Sequence, residues 1–175
     1  AKEALSLSDL LENLNRRKLI PISRPAFLDD PSSATNTQDS PSVRQTTQGL
    51  PAGLTGAPIS SQRGKLPTPV VGRIVGRFGQ SLGTGLTRKG VNLQTSSGAQ
   101  VIAPYEGRIV YAGKFRGYGE LLIMEHGEGY HSLLSGLSRI DSTMGQWVVS
   151  GEPVGVMGRS NRRKPILYVE LRRNG

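Results

Sequence analysis

Tyr168, Glu170 and Arg172 recur at two-residue spacing in the run Lys164-Pro165-Ile166-Leu167-Tyr168-Val169-Glu170-Leu171-Arg172. On a strand this spacing sends Ile166, Tyr168, Glu170 and Arg172 to one face and Leu167, Val169 and Leu171 to the other. The apolar set is a core face. The other lines up a phenol, a carboxylate and a guanidinium, chemistry suited to gripping something. The chain has two histidines, His126 and His131, with Glu125 and Glu128 close by. A catalytic zinc needs three convergent ligands and supporting hydrogen bonds, whereas a five-residue spacing on a regular strand points the two rings to opposite faces. No zinc site is expected from these four residues. The expected outcome is one partly buried, hydrogen-bonded histidine and one surface histidine. The run Arg159-Ser160-Asn161-Arg162-Arg163-Lys164 is basic but has no interleaved stacking aromatics, so it reads as a solvated turn and not as a nucleic-acid site.

The elements that must carry these residues follow from composition. With 175 residues, 35% of them hydrophobic, the chain can hold one compact domain and something extra. No apolar run approaches the roughly 18 residues of a membrane span, and no secretory signal opens the sequence. Starting at Ala1 without a methionine, it reads as a fragment or a mature piece. The absence of cysteine excludes disulfides and thiolate metal sites and leaves the compartment open. Residues 69–175 hold 14 Lys/Arg against 7 Asp/Glu, a net +7, while residues 1–68 hold 8 against 6, a net +2. A basic domain suits nucleic acid, anionic lipid, wall polymer or an acidic protein, and charge does not choose among them.

Leu7, Leu10, Leu11 and Leu14 recur at helical spacing, so Leu5 to Lys18 reads as an amphipathic helix. Ser6 with Asp9 suggests its capping box, and Pro21 stops it. Residues 1–20 are then a helix, either the remnant of a coiled coil or a regulatory helix. Residues 21–68 read as a flexible linker, because Pro, Ser, Thr, Gln, Asn and Gly dominate from Asp29 to about Leu66. Residues 69–175 are the folded domain. Nineteen of the 23 glycines lie after residue 68. Nine short apolar runs lie between them, at 70–75, 91–93, 100–103, 107–111, 120–125, 129–134, 146–149, 153–157 and 166–172. This texture predicts an all-β sandwich or barrel with tight turns.

Several segments together are more specific: Arg77-Phe78-Gly79, Gly90-Val91-Asn92, Gly98 to Pro104, Gly107 to Val110, Gly117-Tyr118-Gly119, Glu125-His126-Gly127, Gly145 to Val148, Gly151 to Gly155 and Leu167 to Glu170. In order and spacing they resemble a LytM domain, the lysostaphin-like zinc endopeptidases of the bacterial cell wall, over residues 70–173. The resemblance implies an antiparallel β-sandwich with a groove. It also implies a zinc held by a histidine and an aspartate of an H-x-G-x-D motif and by the last histidine of H-x-H, with two further histidines around the bound water. At those positions this chain carries Arg88, Asn92 and Tyr168 for the ligands, and Ile166 and Gly136 for the water-handling histidines. Arginine cannot shed its proton to bind a metal, and a neutral amide replaces a carboxylate poorly. No cofactor and no catalysis are therefore expected.

A zinc-free LytM domain closing on Leu-Tyr-x-Glu-x-Arg-Arg is similar to the EnvC-type murein hydrolase activators. That resemblance implies a location in the periplasm at the division site and a coiled coil upstream that would reach a division-site membrane complex. It also implies a zinc-dependent N-acetylmuramoyl-L-alanine amidase as partner, switched on when an inhibitory helix is drawn away. Peptidoglycan is a second expected partner, and a wall-binding scaffold or a residual endopeptidase is the alternative function. The residues expected to meet the amidase are Lys89, Asn92, Tyr118, Leu121, Tyr168 and Arg172, the two tyrosines and Leu121 against an apolar helix face and Lys89 and Arg172 against its acidic groups.

Overall fold

The computed structural model describes residues 7–17, 57–83, 85–159 and 163–174. The chain divides into two units, residues 1–50 and 51–175. In the first, helix α1 spans Leu7–Arg17 with Asp9 in its first turn. An exposed Glu12–Arg16 pair (2.6 Å) at i,i+4 spacing supports it by a few tenths of a kcal/mol, roughly 0.3–0.5. Ser6, Lys18 and Pro21, the expected cap, helix end and stop, lie outside the described residues, as do residues 21–56 of the expected linker.

The second unit starts upstream of residue 69. A 3-10 turn at Ile59–Gln62 buries Ile59, and the backbone N–H and hydroxyl of Ser60 both donate to the Glu128 carboxylate (3.0 and 2.9 Å). The Tyr105 hydroxyl donates to the Ala57 carbonyl (3.0 Å). A single apolar anchor among serines and glycines leaves no periodic trace, which is why this segment reads as linker in sequence.

Nine strands follow among the described residues: β1 Gly72–Gly76, β2 Val91–Thr95, β3 Gln100–Ile102, β4 Gly107–Phe115, β5 Gly119–Gly127, β6 Tyr130–Ile140, β7 Trp147–Val148, β8 Pro153–Met157 and β9 Ile166–Arg173. All pairings are antiparallel, and the main sheet runs β1-β2-β9-β6-β5-β4-β7. Strand β6 extends past the expected end at Leu134. Its first half pairs with β5 and β9, and its far end, residues 137–140, pairs with β8, which pairs in turn with β3. The core joins the two layers: Leu93, Leu122, Met124, Leu134 and Leu167 of the main sheet pack with Val101, Val154 and Met157 of the β3–β8 pair. This is the expected all-β, mostly antiparallel architecture.

On the opposite face of the main sheet, register orders the side chains in rows. Residues opposite one another on neighbouring strands share a face. One row runs Gly76, Asn92, Tyr168, Ser135, Leu121 across β1, β2, β9, β6 and β5. The next is Glu170, Leu133, Ile123, and beyond it lies Arg172, His131, Glu125.

Candidate partner-binding site

Strand β9 is interior to the sheet, between β2 and β6, so its backbone is held on both edges. Its three polar side chains form one bonded unit. The Tyr168 hydroxyl donates to Oε2 of Glu170 (2.6 Å), and Nε of Arg172 donates to Oε1 of the same carboxylate (2.6 Å). Glu170 is 4% exposed and the Arg172 side chain only 14%. Burial, followed by the bond and the charge of Glu170, raises the Tyr168 pKa well above the usual phenol range, so the hydroxyl stays protonated. Glu170 thereby fixes the rotamers of both neighbours. The alternation of the strand placed Glu170 on this face, but nothing in the sequence marked it as the residue that joins the other two.

The positions that the LytM resemblance assigns to zinc chemistry are brought together and carry the wrong donors. Asn92 is directly opposite Tyr168. The Arg88 guanidinium lies against Gly76, where an added Cβ would meet its Cζ and Nε at 2.9 Å, and Gly76 is opposite Asn92. Nε of Arg88 is buried and has no hydrogen-bond partner among the described residues. A permanent cation, a neutral amide and a phenol held in its protonated form do not make a zinc site. Gly136 has φ +95° and is the extra residue of a bulge between Ser135 and Leu137, with the Ile166 carbonyl oxygen directly in the path of any Cβ. A histidine side chain has no room there on this backbone. Ile166, the other water-handling position, is half exposed on the same face as Tyr168. Among the described residues no three His, Cys, Asp or Glu side chains cluster as metal ligands.

Beside this row runs a chain of aromatic rings. Tyr118, in the β4–β5 hairpin, lies 6.4 Å from Tyr168 between ring centroids, Phe115 lies 6.0 Å from Tyr118, and Tyr111 lies 6.0 Å from Phe115. The Ser135 hydroxyl donates to the Tyr118 carbonyl (2.6 Å) and ties the hairpin to β6. Tyr118 thus lies beside Tyr168, held there through its backbone by Ser135. The sequence did not mark Phe115 or Ser135, because a lone aromatic at the end of β4 and a lone serine within β6 carry no spacing signal.

Three expectations need correction. Leu121 is in the same row and on the same face as Tyr168 but has no exposed surface, so it does not present a contact. Arg172 faces Glu170, so a partner carboxylate would have to compete with an ion pair already made; Lys89, just before β2, is exposed. Neither histidine is a surface residue. His126 is partly buried, its Nδ1 2.7 Å from the Glu106 carbonyl and its Nε2 2.7 Å from the Ser132 hydroxyl. His131, 2% exposed, lies in the row of Arg172 on the other side of the sheet, since Ser132 and His131 alternate.

Residues 87–175, just over half of the chain, match the description of peptidase family M23. Over 140 residues the chain is 34% identical to the murein hydrolase activator EnvC of Escherichia coli K12, covering 79% of this chain and 31% of that protein. Over 159 residues it is 31% identical to the murein hydrolase activator NlpD of Salmonella dublin, covering 90% of this chain and 39% of that protein. The chain thus spans about a third of the length of these curated relatives. The solution structure of lysostaphin superposes with a TM-score of 0.53 at 25% identity, over 59% of this chain and 44% of that one. Sequence profile, relatives and sheet topology agree, and the chain belongs to peptidase family M23.

Proposed function

We propose that this chain is a non-catalytic activator of a murein hydrolase, and that the hydrolase is a zinc-dependent N-acetylmuramoyl-L-alanine amidase of the periplasm, acting in cell separation at the division site. The observation that carries the reading is the Tyr168–Glu170–Arg172 unit at a zinc-ligand position of the fold. A catalytic row has been exchanged for a rigid, hydrogen-bonded unit, and rigid side chains lose little entropy when a partner docks. Two relatives named as murein hydrolase activators support the activator class. The rings of Tyr118, Phe115 and Tyr168 offer an apolar ledge to one face of a partner helix, while Lys89 meets its acidic groups. Asn92, beside Tyr168, supplies a neutral donor and acceptor to the same helix.

The test is release of label from peptidoglycan incubated with this protein, with an amidase, and with both. Release only with both supports the activator. Release by this protein alone, abolished by a chelator, would establish a residual endopeptidase; co-sedimentation with peptidoglycan without any stimulation would establish a wall-binding scaffold.

A further inference from the structure

Strand β1 ends the main sheet, and its outer edge has no strand neighbour among the described residues. Four of its five residues are exposed, and the apolar side chains along it and at its flanks face solvent: Val71 is 91% exposed, Ile74 51% and Phe78 74%. Next to its end lies an open hollow of about 490 Å³ lined by residues 74–80. An open backbone edge flanked by apolar side chains is a template for one more strand.

The charges select what can fill it. Arg73 donates to the neutral amide of Gln94 (3.4 Å), and neither Arg73 nor Arg77 is in an ion pair among the described residues. From residue 69 to residue 105 the chain has Arg73, Arg77, Arg88 and Lys89 and no carboxylate side chain. A second copy pairing β1 with β1 would bring two sets of arginines onto adjacent strands with nothing to neutralise them. The bulge at Val75 and the short length of β1 are further guards against self-pairing. These devices repel a like edge and favour an unlike one.

We infer that β1 docks an extended segment of a partner protein in which apolar residues alternate with Asp or Glu, added as a further strand of the sheet. Its carboxylates meet Arg73 and Arg77, and one apolar side chain fills the hollow beside Phe78. This goes beyond the amidase reading, because it uses the backbone edge of β1 and not the Tyr168 face.

The experiment titrates the full 15N-labelled chain with a nine-residue peptide alternating valine and glutamate, N-methylated on alternate residues to keep it monomeric, and with its valine–lysine counterpart. Saturable amide shifts at residues 72–79, with the glutamate peptide binding at least about tenfold tighter, are expected; R73E/R77E reverses the preference. Tyr168→Ala leaves peptide binding unchanged while amidase stimulation falls, which separates this inference from the proposed function. Absence of saturable shifts at 72–79, shifts centred on 166–172, an unaltered preference in R73E/R77E, or a dimer paired through β1 overturns it.

Discussion

Glu170 divides the labour of its two neighbours. Tyr168 gives it only a hydroxyl hydrogen and keeps its ring for contact, whereas Arg172 gives it its charge. Tyr168→Ala removes the ring and is expected to weaken activation by about 2 kcal/mol, roughly thirtyfold in amidase concentration for half-stimulation. Tyr168→Phe removes only the bond to Glu170, about 1 kcal/mol, and is expected to cost less than tenfold. If the two variants behave alike, the hydroxyl and not the ring makes the contact. His126 gives a pH prediction. With the Glu106 carbonyl at Nδ1, that nitrogen must carry the proton, leaving Nε2 to accept from Ser132. Burial is the largest influence and lowers its pKa below the usual 6.5, with His131 adding in the same direction and the Glu106 carbonyl bond, Glu125 and Glu106 opposing. As pH falls below 6.5 the unfolded chain takes up a proton that the folded chain refuses, so the native state loses stability. The melting temperature is expected to drop more between pH 7.5 and pH 5 in the parent than in His126→Gln, whose amide does not titrate. Parallel pH profiles would rule this out.

At the scale of elements, alternation made the strands readable and irregularity hid the rest. Strand β9 is legible in the sequence to within a residue because apolar and polar positions alternate from Leu167 to Arg172. The sequence ends β6 at Leu134, since glycine weakens a strand and Gly136 follows closely. Here the glycine is the bulge that lets β6 turn from the main sheet toward β8, and only the pairing of both halves reveals it. The same bulge sets the path of Ile166, and therefore of Tyr168 two residues later. Gly136→Ala meets both a positive φ and the Ile166 carbonyl, and is expected to destabilise the domain by about 2 kcal/mol. Urea unfolding checks this: a lower midpoint with an unchanged slope is expected, together with weaker amidase stimulation as Tyr168 shifts. An unchanged midpoint would mean that the bulge relaxes freely and does not control β9.

At the scale of the molecule, what composition could not locate was where the domain begins. The glycine-rich β texture starts near residue 69, but the fold recruits residues 57–62 through one buried isoleucine and through hydrogen bonds from Ser60 to Glu128 and from Tyr105 to Ala57. The Ser60 bonds join residues 57–62 to the β5–β6 turn, where Glu128 itself holds a positive φ of 50°. Burying one isoleucine is worth about 1.5–3 kcal/mol, and the exposed bonds to Glu128 add less than they would in a dry site. A fragment of residues 69–175 is therefore expected to be less stable than residues 57–175 by about 2 kcal/mol, a fall of roughly 5–10 °C in melting temperature. Ile59→Ala within residues 57–175 should reproduce much of that fall, and Glu128→Gln a smaller part. If the two fragments melt together, the 3-10 turn rests on the sheet without holding it, and the boundary at residue 69 is the better description of the folding unit. Because Glu128 closes the turn between β5 and β6, and β6 carries Ser135 beneath Tyr118, the shorter fragment also tests whether this distant anchor tightens the partner face: stimulation of the amidase measured well below both melting temperatures should then fall with the loss of residues 57–68.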